Sequence, residues 1–323
     1  MKSIIYCVAF LIGIVPAFAN ADVLSVEEAL NLTQNACSGI EDNLDDLKKM
    51  AGINTVVTGV GTGLGAGATI VGIKKAKIDK ELNAVRLDKL RAAIEAKGEQ
   101  QEPIQSEEAI NAFENYMRSY IPYDLEEEED GTETVKPVDP EQEKLEKQSK
   151  KLGNWRTGLL GGATATGVAG AIIAGNNKTD QSLRDQIEQC INAIAALKKA
   201  YTAAKMVDDA TFNAKEVIKA CEQYKYIDLA KIDKRATGAM ASSIVTAAAG
   251  VTGTTVSALA NSDKVRKDDT EAGQKKEKNL NTAANVLAGG TTVASAVATI
   301  FNASQISAIK QVLKVAEECS ATF

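Results

Sequence analysis

Four segments without a charged side chain, each rich in glycine, alanine and threonine, dominate this 323-residue chain. They are Ala51–Ile73, Thr157–Gly175, Thr237–Asn261 and, approximately, Leu280–Ala303. As a helix, each segment is long enough to cross roughly 30 Å of hydrocarbon. Uncharged runs of this length have to be covered by protein or by lipid, so they restrict the chain to few architectures.

A cysteine stands at nearly the same distance from each segment. Cys37 and Cys221 lie 14 and 16 residues before the first and third segments, and Cys190 and Cys319 lie 15 and 16 residues after the second and fourth. If the connecting stretches are helical, each cysteine lies roughly 21–24 Å beyond its segment, so all four reach one level. The predicted fold is all-α: two tandem helical hairpins packed as a four-helix array of long helices.

The four cysteines are predicted to form disulfides. Residues 1–21 have the charged start, apolar core and small-residue cleavage sites, at Ala19 or Ala21, of a secretory signal peptide. Its removal takes Cys7 away and leaves an even number of cysteines in an exported chain, where disulfides persist. Free thiols and a metal site are the rival interpretations, and the metal site is disfavoured because the chain has no CxxC and no histidine.

Of the three possible pairings, we favour Cys37–Cys190 with Cys221–Cys319, because each of these bonds closes one hairpin. The alternative pairs Cys190 with Cys221 and Cys37 with Cys319. Spacing also indicates an internal repeat, since Gly161-Gly162 precedes Cys190 by 28 residues and Gly289-Gly290 precedes Cys319 by 29.

The signal peptide and the repeat together predict the organisation of the chain. It consists of a signal peptide at 1–21, a first hairpin unit at 22–190, a helical connector at 191–220 and a second hairpin unit at 221–323. The first unit carries a long charged insertion at 74–156. Amphipathic helices are predicted at 78–94 and 110–120 within it, and the acidic, proline-bearing stretch 124–142 reads as a flexible linker. Capping-box patterns at Ser25–Glu28 and Ser182–Asp185 predict two helix starts.

Glycines spaced by four suggest close helix packing, a pattern common in membrane helix pairs and also found in soluble alanine-rich hairpins. Each glycine in a helix costs about 1 kcal/mol relative to alanine, which packing has to offset. A β-strand at Thr55–Gly67 is a lesser alternative. The predicted packing positions are Gly59, Gly63, Gly67, Gly158, Gly162, Gly289 and Gly290.

Composition disfavours several functional classes. The chain has no histidine, which removes the usual general base and the Ser-His-Asp and Cys-His arrangements. A net charge of −6 and one tryptophan argue against nucleic acid as a partner. We find no phosphate loop or dinucleotide fingerprint. No catalytic residue, cofactor, metal ligand or small-molecule substrate is predicted, and the protein is not expected to be an enzyme.

The expected function is that of an exported cell-envelope protein that integrates into a membrane. With alternating spans, every cysteine falls on the oxidising side, and 14 lysines and arginines flank the segments on the inner side against eight on the outer side. The expected partner is the lipid bilayer, with a protein partner or self-association as further possibilities. The alternatives are a soluble, exported helical bundle that binds a partner and a secreted pore-forming hairpin protein.

Overall fold

In the computed structural model, the described residues are 24–98, 139–204, 209–266 and 271–323. These ranges are almost entirely helical and contain no strand, which confirms the all-α prediction. The strand alternative at Thr55–Gly67 is wrong, because these residues lie within one long helix. The signal peptide, the helix predicted at 110–120 and the linker residues 124–138 lie outside the described residues.

Eight α-helices and one 3₁₀ turn follow one another along the described chain. Four of them, α2 (Ile40–Gly98), α3 (Pro140–Asn176), α6 (Leu229–Ala260) and α8 (Glu271–Ser320), contain the uncharged segments and are long and apolar enough to cross a membrane, by length and composition. The other elements are α1 (Val26–Cys37), α4 (Gln181–Ala203), α5 (Asp209–Cys221), the 3₁₀ turn (Glu222–Tyr226) and α7 (Asp263–Arg266).

Three of the four stretches between a cysteine and its segment are interrupted helices rather than continuous ones. Gly39 adopts φ +79 between α1 and α2, a left-handed conformation that only glycine enters without steric cost. Asn177–Asp180 separates α3 from α4, and the 3₁₀ turn precedes α6. Helix α8 continues without a break to Cys319. The predicted distance from cysteine to segment assumes a continuous helix. That prediction therefore applies in full only to the stretch that ends at Cys319.

Helix starts follow local capping chemistry. At α1 the predicted capping box is present, with Glu28 N donating to Ser25 Oγ and Ser25 N donating to the Glu28 carboxylate. The prediction at Ser182 is wrong by two residues, because Asp180 caps α4 by accepting from Leu183 N at 2.8 Å. Helix α3 begins at Pro140, inside the range predicted as linker, with Asp139 as its cap.

The described residues of the chain form two compact units, which are bounded by the following positions. Unit 1 comprises residues up to Lys48 together with Thr179–Lys231 and Ser307–Phe323. Unit 2 comprises Lys49–Lys178 and Ile232–Ile306. The four long helices supply the body of unit 2.

Unit 1 has a conventional aliphatic core and contains Cys37, Cys190, Cys221 and Cys319. Cys37 pairs with Cys190 and Cys221 with Cys319, each with a Cα–Cα distance of 4.7 Å, and these are the two pairs favoured above. Around them, large aliphatic side chains from every part of the unit are buried. They include Ile40, Leu44, Leu183, Ile187, Ile194, Leu197, Val217, Ile309, Val312 and Leu313. Such a core is what burial of apolar surface away from water produces.

Candidate functional site: the polar interior of unit 2

The interior of unit 2 consists mainly of small and polar side chains, with Leu160 and Ile232 among them, at alternating intervals of three and four residues. This period of 3.5 keeps one stripe of each helix facing its neighbours in a left-handed bundle. The buried positions are 51, 54, 58, 61, 65, 68, 72 and 75 on α2; 149, 153, 156, 160, 163, 167, 170 and 174 on α3; 232, 236, 239, 243, 246, 250, 253 and 257 on α6; and 281, 284, 288, 291, 295, 298, 302 and 305 on α8.

Many of the large aliphatic side chains of the same helices lie on the opposite, exposed faces. Val56 on α2 and Val286 on α8 are 67% and 70% exposed. Every uncharged segment shows the same distribution, so it is a property of the whole unit. The exposed side chains are Ile53, Val56, Val60, Ile70, Ile73, Val168, Ile172, Ile244, Val245, Val251, Leu259, Val286, Val293, Val297 and Ile300.

Most of the glycines predicted to pack closely face away from neighbouring helices. Among the described residues, no atom of another part of the chain would lie within 4 Å of a Cβ added at Gly59, Gly63, Gly158, Gly289 or Gly290. Gly67 and Gly162 do have neighbours, the side chains of Leu159 and Leu64 respectively. At the other five positions the described residues show no close helix contact.

A second set of glycines, in a different phase of the helix, makes the close contacts. A Cβ on Gly65 would lie 3.0 Å from the backbone nitrogen of Thr292, and one on Gly167 would lie 2.7 Å from that of Ala247. Gly72 leaves room for Asn285 and Arg156. These positions bring helix backbones together and admit polar side chains between them.

A charged cluster lies where all four long helices meet, and its centre is Arg156 on α3, whose side chain is fully buried. Arg156 Nε donates to Ser257 Oγ at 2.9 Å. Its two terminal nitrogens donate to Asn281 Oδ1 at 2.8 Å and Asn285 Oδ1 at 3.1 Å. The guanidinium fork thus joins α3 to α6 and α8, which a buried arginine requires to offset its desolvation.

Lys75 and Asp79 add α2 to the same charged cluster. Lys75 is fully buried, and its Nζ lies 2.7 Å from Asp79 Oδ2 and 3.6 Å from Glu277 Oε1. Asp79 also accepts from Ser149 Oγ at 2.5 Å and from Asn281 Nδ2 at 3.3 Å. Three helices therefore supply the donors that satisfy one carboxylate.

Glu277 is the less satisfied of the two acids. Burial raises the pKa of its carboxyl above the ordinary value, while the positive charge of Lys75 opposes that rise. The chemistry of this cluster is ion pairing and hydrogen bonding. Among the described residues, no group of three histidine, cysteine, aspartate or glutamate side chains has the arrangement to hold a metal ion.

An amide cluster joins the other end of the uncharged part of α2 to α8. Asn54 Nδ2 donates to Asn302 Oδ1 at 3.0 Å, and Ser295 Oγ donates to the Thr58 carbonyl at 2.7 Å. Thr299 Oγ1 donates to Thr58 Oγ1 at 3.0 Å. Between the amide and charged clusters lies a small apolar cluster, in which Ala68, Leu160 and Ala288 are fully buried against one another.

Two cavities with lysines in their walls border α2 near the charged cluster. The larger, about 800 Å³, lies between α2 and α8. The smaller, about 490 Å³, lies between α2 and α3. We call them the α2–α8 cavity, which includes Lys80, Lys275 and Lys278, and the α2–α3 cavity, which includes Lys74, Lys77 and Lys151.

Comparison with protein-family models, with curated proteins and with solved structures found no match for this chain. Its function therefore has to be argued from the geometry above. Sequence reasoning placed Lys75 and Arg156 among the flanking positive charges and did not identify either cluster. The available signal was the recurrence of Asn, Ser, Thr and Arg at the three-and-four spacing of the buried stripe.

Proposed function

We propose that the protein is a non-enzymatic, exported envelope protein that is integrated into a lipid bilayer through the four long helices of unit 2. Unit 1, with its disulfides, is the water-exposed part and serves a structural or interaction role on the oxidising side. The proposal starts from the observation that four helices have the length and composition to cross a membrane.

The main support for this proposal is that the two units bury opposite kinds of side chain. Unit 1 buries leucine, isoleucine and valine, as a protein folding in water does. Unit 2 buries mainly alanine, glycine, serine, threonine and asparagine, with Lys75 and Arg156, and exposes many of its large aliphatic side chains. Leu82, Leu160 and Ile232 are among the buried exceptions. Helix association in lipid has no hydrophobic drive, so interfaces there use small residues and interhelical hydrogen bonds. An aliphatic exterior around a polar interior is what a bilayer stabilises and water penalises.

The spacing of the two polar clusters supports the same conclusion. Asn54 and Lys75 on α2 are 21 residues apart, which corresponds to about 32 Å along a helix. The hydrocarbon core of a bilayer is about 30 Å thick. The charged cluster thus falls at one boundary of the apolar zone, where lysine and arginine are tolerated, and the amide cluster falls at the other.

The chain order is consistent with a single topology. With four spans, both ends of the mature chain and the residue 176–236 stretch share one side, and all four cysteines belong to these parts. The disulfides in unit 1 support an oxidising compartment for that side. The lysine-rich flanks at positions 74–80 and 275–278 then lie on the opposite, inner side, in agreement with the positive-inside rule.

The single tryptophan provides a direct test. Trp155 is 60% exposed and stands two residues before an uncharged segment, which predicts a position at the bilayer interface. In reconstituted vesicles, lipids brominated near the headgroup should quench its fluorescence strongly, and lipids brominated deep in the chains should quench it less. Resistance of the native protein to alkaline carbonate extraction is the matching expectation in cells.

A matched control moves the probe to unit 1. In a Trp155→Phe, Tyr226→Trp variant the new probe replaces a side chain that is 84% exposed in unit 1. It should be quenched by aqueous iodide and not by brominated lipid. If Trp155 itself is open to iodide and insensitive to brominated lipid, and the protein is monodisperse without detergent, the soluble exported bundle is the correct description and the membrane proposal fails.

A further inference from the structure

The α2–α8 cavity combines a basic wall with an unused hydrogen-bond donor. Lys80, Lys275 and Lys278 contribute to it and are exposed. None of the three pairs with a carboxylate among the described residues. The cavity volume of about 800 Å³ lies in the range of ligand-binding pockets.

The acids in the same wall are already occupied by internal partners. Asp79 accepts hydrogen bonds from Lys75, Ser149 and Asn281, and Glu277 lies beside the Lys75 ammonium group. Lys75 is fully buried and does not line the cavity. The positive charge of Lys75 offsets part of the negative charge of these two carboxylates. The three exposed lysines therefore leave the cavity with a net positive charge.

Asn285, one of several uncharged polar side chains that line the cavity, is held by Arg156. Arg156 Nη1 donates to Asn285 Oδ1, so the amide oxygen of Asn285 is used inside the bundle. The amide nitrogen of Asn285, which lines the cavity, has no partner among the described residues. A ligand that suits this site presents oxygen acceptors and negative charge together, as a phosphate group does.

We propose that the α2–α8 cavity binds the phosphate headgroup of an anionic phospholipid. The proposal rests on the membrane location argued above, which puts this cavity at the lysine-rich end of the spans, level with lipid headgroups. Basic pockets between membrane helices at the inner boundary are recurrent sites for such headgroups. Exposed aliphatic side chains on the same helices, such as Ile70 and Val286, offer a surface for the acyl chains.

The test measures binding of a fluorescent phosphatidylglycerol to the purified full-length mature protein in uncharged detergent, by anisotropy. Phosphatidylcholine and inorganic phosphate serve as competitors. Neutralising the cavity with Lys80→Gln, Lys275→Gln and Lys278→Gln together should weaken binding about tenfold or more. Unlabelled phosphatidylglycerol should compete, and phosphatidylcholine should not.

The α2–α3 cavity supplies a control of equal charge. Lys74, Lys77 and Lys151 are also exposed and unpaired among the described residues, so changing all three to glutamine removes the same charge from the same end of the unit. This variant should stay within about twofold of the parent protein. Equal weakening by both triple variants would show diffuse attraction to basic surface and overturn the proposal.

A variant that is expected to bind more tightly tests the site even if the triple lysine variant does not fold. Glu277→Gln removes a negative charge from the cavity wall and should tighten phosphatidylglycerol binding by about threefold. No tightening would count against the site even if the triple lysine variant were unstable. Full displacement by millimolar inorganic phosphate would assign the cavity to a free anion and overturn its assignment to lipid.

The membrane proposal can fail independently. Detergent-based binding does not depend on where the protein resides, whereas Trp155 quenching and carbonate extraction do. Bilayer insertion without a preference for phosphatidylglycerol refutes the headgroup site alone. Absence of insertion refutes the proposed function, whatever the binding assay shows.

Discussion

Asn54 and Asn302, which lie 248 positions apart in the chain, are hydrogen-bonded to each other in the interior of unit 2, with 3.0 Å between Asn54 Nδ2 and Asn302 Oδ1. Both side chains are fully buried. The bond joins the early part of α2 to the late part of α8. The bond satisfies the amide donor of Asn54 and the amide acceptor of Asn302, which lipid or a dry core cannot solvate.

A double-mutant cycle measures this pair. Asn54→Ala and Asn302→Ala should each lower the free energy of unfolding in detergent, and the two effects should be coupled by about 0.5–1.7 kcal/mol. The reference cycle combines Asn54→Ala with Asn285→Ala, because Asn285 belongs to the charged cluster. A coupling energy near zero for Asn54 with Asn302 would show that the amide bond adds nothing to helix association.

Gly65 and Gly63, two residues apart on α2, should respond to alanine in opposite directions. The Cβ of Gly65→Ala would lie 3.0–3.1 Å from backbone atoms of Thr292, which cannot rotate away, so α2 and α8 must separate. We expect a loss of about 1–3 kcal/mol. Gly63→Ala meets no described neighbour and should gain up to about 1 kcal/mol from helix propensity.

The measurement for this glycine pair is the thermal unfolding midpoint of each variant in the same detergent. Equal destabilisation by both changes would mean that the contact surface of α2 differs from the buried stripe. Gly167→Ala and Gly158→Ala form an independent pair on α3 with the same expected contrast, since only the first meets a backbone neighbour.

Asp79 should matter far more to stability than Glu277, although both lie near the buried ammonium group of Lys75. Asp79→Asn removes the 2.7 Å ion pair and leaves Lys75 buried with a carboxylate only at 3.6 Å. Breaking a buried pair in this way costs about 3–5 kcal/mol. Glu277→Gln keeps the shorter pair and should cost less than about 1 kcal/mol. Chemical unfolding of the two isosteric variants compares them directly, and a larger loss for Glu277→Gln would contradict the assignment of Asp79 as the main partner.

Glu277 should also make stability depend on pH. Burial raises its pKa in the folded protein above the ordinary 4.5, against the opposing charges of Lys75, Arg86 and Arg266 and with added repulsion from Asp79. Below pH 4.5 both folded and unfolded states hold the proton. As pH rises toward the folded pKa, the unfolded state ionises first, so the folded state loses stability.

The matched variant Glu277→Gln cannot ionise and should lack this contribution. The difference in unfolding free energy between parent and variant should therefore favour the parent most at low pH, decline as pH rises above 4.5 and level off beyond the folded pKa. Unfolding midpoints between pH 4 and 7 measure it. A difference that grows with pH would mean that the pKa of Glu277 is lowered by its partners.

The all-α class and the helical state of the uncharged runs were predictable, because capping residues and uncharged runs are local signals. Ser25 with Glu28 marked a helix start correctly, and the uncharged run from Ala51 to Ile73 lies within α2. The break at Gly39 was missed because Cys37, Ile40 and Leu44 continue the apolar stripe across it. A glycine inside such a stripe was the available warning.

Hydrophobicity did not predict which face of each long helix is buried. In unit 2 many aliphatic side chains are exposed and polar ones are buried, the reverse of the usual distribution. Val56 and Val60 are exposed, whereas Asn54 and Thr58 are buried. Glycines recur at intervals of four on both faces of α2, so spacing alone did not distinguish Gly63 from Gly65. Arg156 resembled an ordinary flanking charge, because only the tertiary structure shows its three acceptors on α6 and α8.

The two sulfur bridges enclose stretches of sequence that do not overlap, one from Cys37 to Cys190 and the other from Cys221 to Cys319. Cutting the backbone once between Cys190 and Cys221 would therefore yield two polypeptides without a covalent link, each with two long helices and one intact bridge. Only contacts such as that of Asn54 with Asn302 would hold these fragments together. The molecule is thus divisible into two separately encoded halves, whose reassembly would report the strength of its non-covalent helix contacts.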